Sequence, residues 1–382
     1  MDFRLGEKAE LLRKETIEFL DEHLTEEILE GCHATGVNHD VEFAKAVRDR
    51  GWLTMGWSVE DGGDGRDPLE LIAYGEEMHR RNAPMYAIGT TMGIAHLIQK
   101  LGTDEQQREI IPKALNAEIV IALGFTEPEN GSDAAAAATR AVRTGDGWTI
   151  NGSKMFTTNA HIADYVFMLA RTNPDVSKHR GLTTFLVPLD QPGVEVQAVR
   201  TMSGERTNIT FYNDVFVADK WRIGEVDGGW TVMATAFLTE HSASFHAEQW
   251  RLVEAFERWA RESGRLRDGD VAARIGKSHT EFEVSTLLQR RAAWAASEGL
   301  DAHGLGSMSK LFSTERLEQQ ANETLSLVGP DGLRARGDDT AVQRGTIEHM
   351  VRHAKGTTIY AGTSEIQRNI IGQHVLGLPR SY

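Results

Sequence analysis

The stretch Ile359-Tyr-Ala-Gly-Thr-Ser-Glu-Ile-Gln-Arg368 combines residue types that could bind an anion. Gly362 interrupts the preceding segment, and Thr363 or Ser364 can cap a helix. Ile366 then begins an apolar pattern at helical spacing. A helix that starts here presents free backbone N–H groups, which could hold a phosphate or an electron-rich ring edge. An ordinary capped surface helix would show the same pattern, so other parts of the chain must decide.

The composition is that of an acidic protein with enough apolar residues for buried cores. The 382 residues are 40% hydrophobic and 25% charged, and the formal net charge is −15. This charge argues against nucleic acid or an anionic membrane surface as a partner, because their phosphate groups would repel the protein. Cys32 is the only cysteine, so an internal disulfide and a thiolate metal cluster are excluded, and we expect no bound metal.

The apolar runs and the first residues of the chain bear on membrane insertion and targeting. No apolar run approaches the roughly 20 residues that a membrane-spanning helix needs. The first eight residues, Met-Asp-Phe-Arg-Leu-Gly-Glu-Lys, mix both charges without the apolar centre of a signal peptide. We therefore expect a cytoplasmic protein that does not insert into membranes.

The chain divides into three segments by the period of its apolar residues. Residues 1–120 show helical spacing, residues 121–226 contain alternating strand-like runs, and residues 227–382 return to helical spacing. In the middle segment the pair Asn151-Gly152 stands between alternating residues, which predicts a hairpin turn there. Strands between two helical segments predict the α+β class.

Two motifs of the middle segment carry a family resemblance. Leu123-Gly-Phe-Thr-Glu-Pro-Glu-Asn-Gly-Ser-Asp133 and Lys154-Met-Phe-Thr-Thr-Asn159 together resemble the flavin-binding signature of the acyl-CoA dehydrogenase family. Leu101-Gly-Thr-Asp-Glu-Gln-Gln-Arg108 and the Ile359 stretch fit the same family at the right separations. The resemblance implies a helical N-terminal domain, a middle β-barrel-like domain and a C-terminal helical bundle. It also implies bound FAD, a CoA thioester substrate and an electron-transferring flavoprotein as acceptor.

The resemblance assigns roles to residues within these motifs. Hydroxyls such as those of Thr126 and Thr158 suit a flavin, because reduction builds negative charge at N5 and the carbonyl oxygens. Position 156 is usually a tryptophan in the family, and Phe156 keeps the stacking surface without the N–H donor. Without the family, these residues would be read as turn and hairpin residues. The implied cofactor-binding residues are Leu123, Phe125, Thr126, Phe156, Thr158, Gly362, Thr363 and Glu365, and Ser132 is implied to contact the CoA moiety.

The catalytic base is displaced in this chain. Many members of the family carry a glutamate where this chain has Ala361, whereas the isovaleryl-CoA and long-chain types place it on an early helix of the C-terminal domain, which matches Glu240 here. Glu240 follows Phe237 and Met233 at helical spacing, so it shares an apolar face that would raise its pKa toward neutrality. The structural alternative is a glutamate paired with His241 or His246.

Ala361 can still take part through its backbone. In relatives, the N–H at this position and a flavin ribityl hydroxyl bind the thioester carbonyl and stabilise the developing enolate. A backbone donor survives replacement of the side chain, so this oxyanion role does not need a glutamate.

Three departures from the family pattern concern substrate orientation and assembly. His241 replaces the arginine that follows the glutamate in relatives, which affects base orientation and part of the substrate contact. Arg265 to Gly276 lacks the Arg-x-x-Phe-Gly element with which homotetramers reach a neighbouring FAD, and Val328 to Leu333 only approximates the element that covers its adenine. The chain in this respect resembles actinobacterial heterotetrameric acyl-CoA dehydrogenases, some acting on steroid side-chain thioesters. We expect a homo- or heterotetramer.

The leading function is FAD-dependent α,β-dehydrogenation of an acyl-CoA thioester to the trans-2-enoyl-CoA. A base takes the α-proton while the β-hydrogen leaves as hydride to flavin N5. A second hypothesis is a partner subunit that completes the FAD site of another chain. A third is a flavin monooxygenase or nitroalkane oxidase on the same fold.

Overall fold

The computed structural model describes residues 4–240 and 245–379, with side chains for all of these except residues 236–240 and 303. Helices occupy the first part, strands the middle and helices the rest, which confirms the predicted α+β class. No helix in this described part combines the length and the apolar character needed to cross a membrane. The helices are α1 (Glu7–His23), α2 (Glu26–Thr35), α3 (Val41–Asp49), α4 (Pro68–Arg80), α5 (Tyr86–Leu101), α6 (Asp104–Leu115), α7 (Gly229–Glu240), α8 (Phe245–Glu262), α9 (Gly269–Ser297), α10 (His303–Val328), α11 (Thr346–Thr357) and α12 (Ser364–Ile370).

Local sequence signals explain where several helices begin. Thr103 caps α6. Its N–H in turn donates to the side-chain oxygen of Gln106, which completes a capping box. The Gln106 amide nitrogen also donates to the carbonyl oxygens of Lys220 and Arg222, at 2.6 and 2.7 Å. This one side chain therefore starts a helix and fixes the end of the strand region.

The middle of the chain forms one eight-stranded mixed sheet. Its strand order is β6-β7-β3-β2-β4-β5-β8, and β1 pairs with β4 in parallel. The β4 and β5 strands are buried on both faces, and β4 is apolar at consecutive positions from Val166 to Ala170 rather than at alternating ones. The strands are β1 (Ile121–Gly124), β2 (Arg140–Thr144), β3 (Gly147–Lys154), β4 (Tyr165–Arg171), β5 (Leu182–Pro188), β6 (Val194–Arg200), β7 (Arg206–Ala218) and β8 (Arg222–Ile223).

The hairpin predicted at Asn151-Gly152 is wrong. The β3 strand continues through both residues, and the turn that joins it to β2 lies at Gly145 and Asp146. Instead the register with β7 shifts between Ile150 and Gly152, which makes a β-bulge. Gly152 has a φ of 144°, and a β-carbon there would lie 2.7 Å from the Thr139 hydroxyl. The glycine therefore permits a close approach of two strands.

The chain forms two compact units. The first comprises Met1–Asp21, Asp67–Asn82 and Glu240–Tyr382, and the second comprises Glu22–Arg66 and Ala83–Thr239. The first unit is helical, and one of its apolar clusters joins Leu5 and Ala9 to Ile72, Ala73 and Ala293. The second contains the sheet. The division into segments 1–120, 121–226 and 227–382 stays a prediction about the linear chain.

Candidate functional site

The two motifs of the predicted flavin signature meet in the sheet-containing unit. The Met155 N–H donates to the Thr126 carbonyl at 2.8 Å, which joins the residues after β1 to the residues after β3. Leu123 lies on β1 in register with Phe167 of β4, and Phe125 packs edge-on against the same Phe167 ring at 5.9 Å between centroids. Backbone pairing thus brings together two stretches that are distant in sequence.

A buried ion pair stabilises this junction. The Lys154 ammonium contacts a Glu127 carboxylate oxygen at 2.7 Å, and these side chains are 0% and 5% exposed. Glu127 also accepts hydrogen bonds from the N–H groups of Ala138 and Thr139, at 2.6 and 2.9 Å. Burial alone would raise the pKa of Glu127, but the Lys154 charge and these hydrogen bonds lower it to about 2. One carboxylate therefore closes the whole loop from Glu127 to Thr139.

Phe156 presents an aromatic face beside hydroxyl groups. Its side chain is 54% exposed, and its φ of 58° is unusual for a bulky residue. The half-buried Thr158 follows, with its hydroxyl 3.1 Å from that of Thr207. Asn159 is 1% exposed, yet neither polar atom of its side chain has a hydrogen-bond partner among the described residues. An open aromatic face, hydroxyls and an unpaired buried amide fit a planar, polar-edged group such as a flavin.

The Ile359 stretch forms a strained turn in the helical unit. Ala361 and Gly362 both have positive φ, at 52° and 83°, so two successive residues adopt the left-handed region. The Gln367 amide nitrogen donates to the Ala361 carbonyl at 2.9 Å. A β-carbon on Gly362 would lie 2.7 Å from this same nitrogen, which explains the glycine. Thr363 then caps α12 by accepting from the Ile366 N–H, as the sequence predicts.

The start of α12 is better suited to hydrogen-bond donors than to a phosphate. The Glu365 carboxylate is exposed there, and hydrogen bonds from its own N–H and from the Thr363 hydroxyl lower its pKa. An ionised carboxylate repels a phosphate but accepts from hydroxyl or ring N–H groups. In the described part of the chain, the Ala361 N–H donates to no other group, so it is available to a ligand.

The remaining predicted site residues are placed only in part. Glu240 is the last residue of α7, and its side chain lies outside the described residues, as does the whole of His241. Ser132 is exposed in the loop closed by Glu127. His246, named above as a structural partner for Glu240, contacts Glu76 through Nε2 at 2.9 Å.

Sequence reasoning left Glu127, Lys154 and Gln367 without roles. Glu127 and Lys154 lie inside the motifs, and their burial could have been suspected from the apolar neighbours of Lys154. Gln367 gives no such signal, because a glutamine on a short amphipathic helix is ordinarily exposed.

A second buried charge network lies in the helical unit. Arg13 contacts Glu76 and Glu77, each at 2.6 Å, and His246 completes the pairing of Glu76. Burial would raise the pKa of Glu76, but His246 and Arg13 lower it to about 2. An open cavity of about 320 Å³ borders this network, and none of the predicted cofactor residues lines it.

Acid should destabilise this network. The pKa of Glu76 is about 2 in the folded protein against an ordinary 4.5, so its contribution of about 3 kcal/mol is complete above pH 4.5. That contribution is lost as the pH falls from 4.5 toward 2. Urea unfolding measured at pH 7, 5, 4 and 3 should show this decline, and Glu76→Gln should make it shallower. An unchanged slope in the variant would contradict the assignment.

Family models match most of the chain in three consecutive parts. The N-terminal domain of acyl-CoA dehydrogenase matches residues 6–118, the middle domain matches 122–215 and the C-terminal domain matches 227–376. Acyl-CoA dehydrogenase FadE26 of Mycobacterium tuberculosis is 33% identical over 366 residues, which cover 92% of this chain and 91% of the relative.

Solved structures of similar proteins support the same family assignment. The Tcur3481-Tcur3483 steroid ACAD is 30% identical, with a TM-score of 0.92 and full coverage of both chains. The ChsE4-ChsE5 complex from Mycobacterium tuberculosis is also 30% identical, with a TM-score of 0.89 and full coverage. The chain therefore belongs to the acyl-CoA dehydrogenase family of flavoprotein oxidoreductases, with FAD as cofactor and acyl-CoA thioesters as the class of substrate.

Proposed function

We propose that the protein catalyses α,β-dehydrogenation of an acyl-CoA thioester to the trans-2-enoyl-CoA, with Glu240 as the base. The observation that carries this proposal is the Phe156 face with the adjacent Thr158 hydroxyl, in a chain that matches the family throughout. These features support a flavin-dependent redox function for the chain.

The cofactor is held by residues of two kinds. Leu123, Phe125 and Phe156 offer apolar contact, while Thr126 and Thr158 offer hydroxyls to the polar edge of the ring. Gly362 and Thr363 bind through backbone N–H groups that donate to no other group in the described part of the chain, and Glu365 binds through its carboxylate. Bound there, FAD would supply the acceptor for the β-hydrogen that leaves the substrate as a hydride.

Glu240 removes the α-proton of the thioester in this proposal. The side chain at position 361 is a methyl group, which cannot accept a proton, so the base must come from elsewhere. The Ala361 N–H remains free to bind the thioester oxygen and stabilise the negative charge that forms there. Ser132 and His241 contact the CoA part of the substrate.

Anaerobic flavin reduction tests this function directly. Purified protein is mixed with octanoyl-CoA, isovaleryl-CoA or a steroid side-chain CoA thioester, and the flavin absorbance is followed. We expect bleaching with at least one thioester and the matching enoyl-CoA by mass spectrometry. Reduction by none of them, in protein that contains FAD, would contradict the dehydrogenase function. The same panel defines the acyl group, and an electron-transferring flavoprotein is the acceptor to test next.

A partner chain is part of the proposal. Both structural relatives above are named as pairs of chains, and one is named as a steroid enzyme. This chain lacks the Arg-x-x-Phe-Gly element between Arg265 and Gly276 that would reach a neighbouring cofactor. We therefore propose a cytoplasmic heterotetramer acting on a bulky, steroid-like thioester.

A homotetramer of this chain alone, with one FAD per subunit and full activity, would contradict the need for a partner. Protein that binds FAD only with a partner and lacks its own base activity would instead be a site-completing subunit.

Phe156→Gly should separate cofactor binding from stability. A glycine adopts a φ of 58° without strain, and the exposed ring contributes little burial, so the free energy of unfolding without FAD should change by less than about 1 kcal/mol. FAD affinity should fall at least about tenfold, because the stacking surface is lost. Fluorescence titration of flavin-free protein measures this. Phe156→Trp is the matched control, since it keeps an aromatic face and should retain affinity.

A further inference from the structure

Lys310 is a buried cation that binds the Ala361-Gly362 turn. It lies on α10 with 6% of its surface exposed, and its ammonium donates to the Gly362 carbonyl at 2.7 Å. In the described part of the chain this is its only hydrogen bond. Buried lysines normally pair with a carboxylate, so a lysine that binds only a backbone carbonyl suggests a specific requirement at that carbonyl.

The carbonyls of the turn are held by two different donors. The Gln367 amide nitrogen donates to the Ala361 carbonyl at 2.9 Å and, at 3.4 Å, to the Gly362 carbonyl. Lys310 is the nearer donor to the Gly362 carbonyl at 2.7 Å, so two successive peptide planes are fixed. The C=O and N–H of a trans peptide point in opposite directions. Holding these oxygens therefore turns the N–H groups of Gly362 and Thr363 away from Lys310 and Gln367.

Charge adds to this orientation. A cation on the carbonyl oxygen polarises the peptide, which makes the N–H on its other side a stronger donor. The same ammonium lies 5.8 Å from the centre of the Phe245 ring, and Phe245 packs against Tyr360. Lys310 thus has an aromatic contact in addition to its hydrogen bond to the turn.

We propose that Lys310 is a positioning residue that orients and polarises the Gly362-Thr363 peptide toward FAD. The inference rests on the proposed cofactor site. It assigns a role to a side chain that touches neither the substrate nor the flavin in this arrangement, and that acts through the backbone.

Burial gives this lysine a distinctive titration. Burial lowers the pKa of Lys310 to about 8, although the charges of Glu315 on α10 and Glu365 on α12 act in the opposite direction. The ammonium is therefore charged at pH 7 and loses its proton just above. A lowered lysine pKa means that the unfolded chain holds the proton more tightly, so keeping Lys310 charged at pH 7 opposes folding.

Lys310→Met tests the proposal. We expect FAD affinity to fall about tenfold, the visible flavin spectrum to shift, and the melting temperature at pH 7 to stay the same or rise. Flavin reduction in wild type should slow above pH 8, and the variant should lack this step. Lys355→Met removes a half-exposed lysine that pairs with Glu318, and it should change none of these properties. An unchanged FAD affinity together with an unchanged flavin spectrum in Lys310→Met would overturn the proposal, whether or not the melting temperature falls.

Chemical rescue strengthens the test. In a Cys32→Ser background, Lys310→Cys provides a single thiol that 2-bromoethylamine converts to a lysine analogue. Restored FAD affinity after alkylation would support the proposal, and alkylation without restoration would contradict it. FAD affinity and the spectrum need no turnover. If wild type binds FAD but is reduced by no thioester, the proposed function fails while the Lys310 inference is still tested.

Discussion

Replacing Glu240 with glutamine is expected to slow flavin reduction by acyl-CoA by about 10² to 10⁴-fold, the range for a lost general base. Glutamine has nearly the same size as glutamate but cannot take the α-proton. FAD content should not change, because Glu240 is not among the cofactor residues. Anaerobic stopped-flow absorbance measures the rate constant at saturating thioester, so that binding and proton removal are separated.

The control for Glu240→Gln is Glu254→Gln. Glu254 lies on the exposed side of α8, where it pairs with Arg258 at 3.2 Å, and its loss should leave the rate within twofold. Rapid bleaching in the variant would remove Glu240 from its role and direct attention to another base.

Lys154→Met should destabilise the protein by about 3 to 5 kcal/mol, because it leaves the Glu127 carboxylate buried without its partner. Urea unfolding at pH 7 measures this loss. The same variant should weaken FAD binding, since Glu127 closes the loop that carries Ser132 and follows Thr126.

Lys178 offers a matched control for Lys154→Met, because it also pairs with an acidic residue of the loop from Glu127 to Thr139. Lys178 pairs with Asp133, and both side chains are 50% exposed, so Lys178→Met should cost less than about 1 kcal/mol. The double variant Lys154→Met with Glu127→Leu should cost less than the two single changes added, because neither charge is then left alone. An additive double variant would show that the two residues do not act as a pair.

The helix start at Thr363 could be predicted because its cause is local. A cap needs only a hydroxyl residue followed by a helical pattern, and the structure confirms Thr363 in that role. The class of fold was predictable for a similar reason, since apolar spacing changes between segments of ordinary length. The family motifs added the cofactor and substrate class, which residue spacing alone does not provide.

Features that depend on distant residues were not predictable. Asn151-Gly152 has the composition of a tight turn. The glycine is required for a different reason, because Thr139 on the neighbouring chain segment leaves no room for a side chain at position 152. Likewise, the hydrogen bond from Lys310 to the Gly362 carbonyl joins residues that are 52 positions apart in the sequence. The local sequence around either residue therefore does not show it. The site roles of Glu240 and of the cofactor residues stay predictions that the experiments above address.

The helical unit is built from sequence segments that are far apart, which affects the order in which the protein can fold during synthesis. Leu5, Ala9, Ile72 and Ala73 pack in one apolar cluster with Ala293, which lies more than 200 residues later in the chain. On the ribosome these first helices emerge long before that partner exists, whereas every residue of the sheet-containing unit is translated by Thr239. The apolar faces of α1 and α4 therefore cannot be fully buried until α9 has been translated. In a chain truncated before α9 these faces would stay exposed, where they can aggregate or bind chaperones.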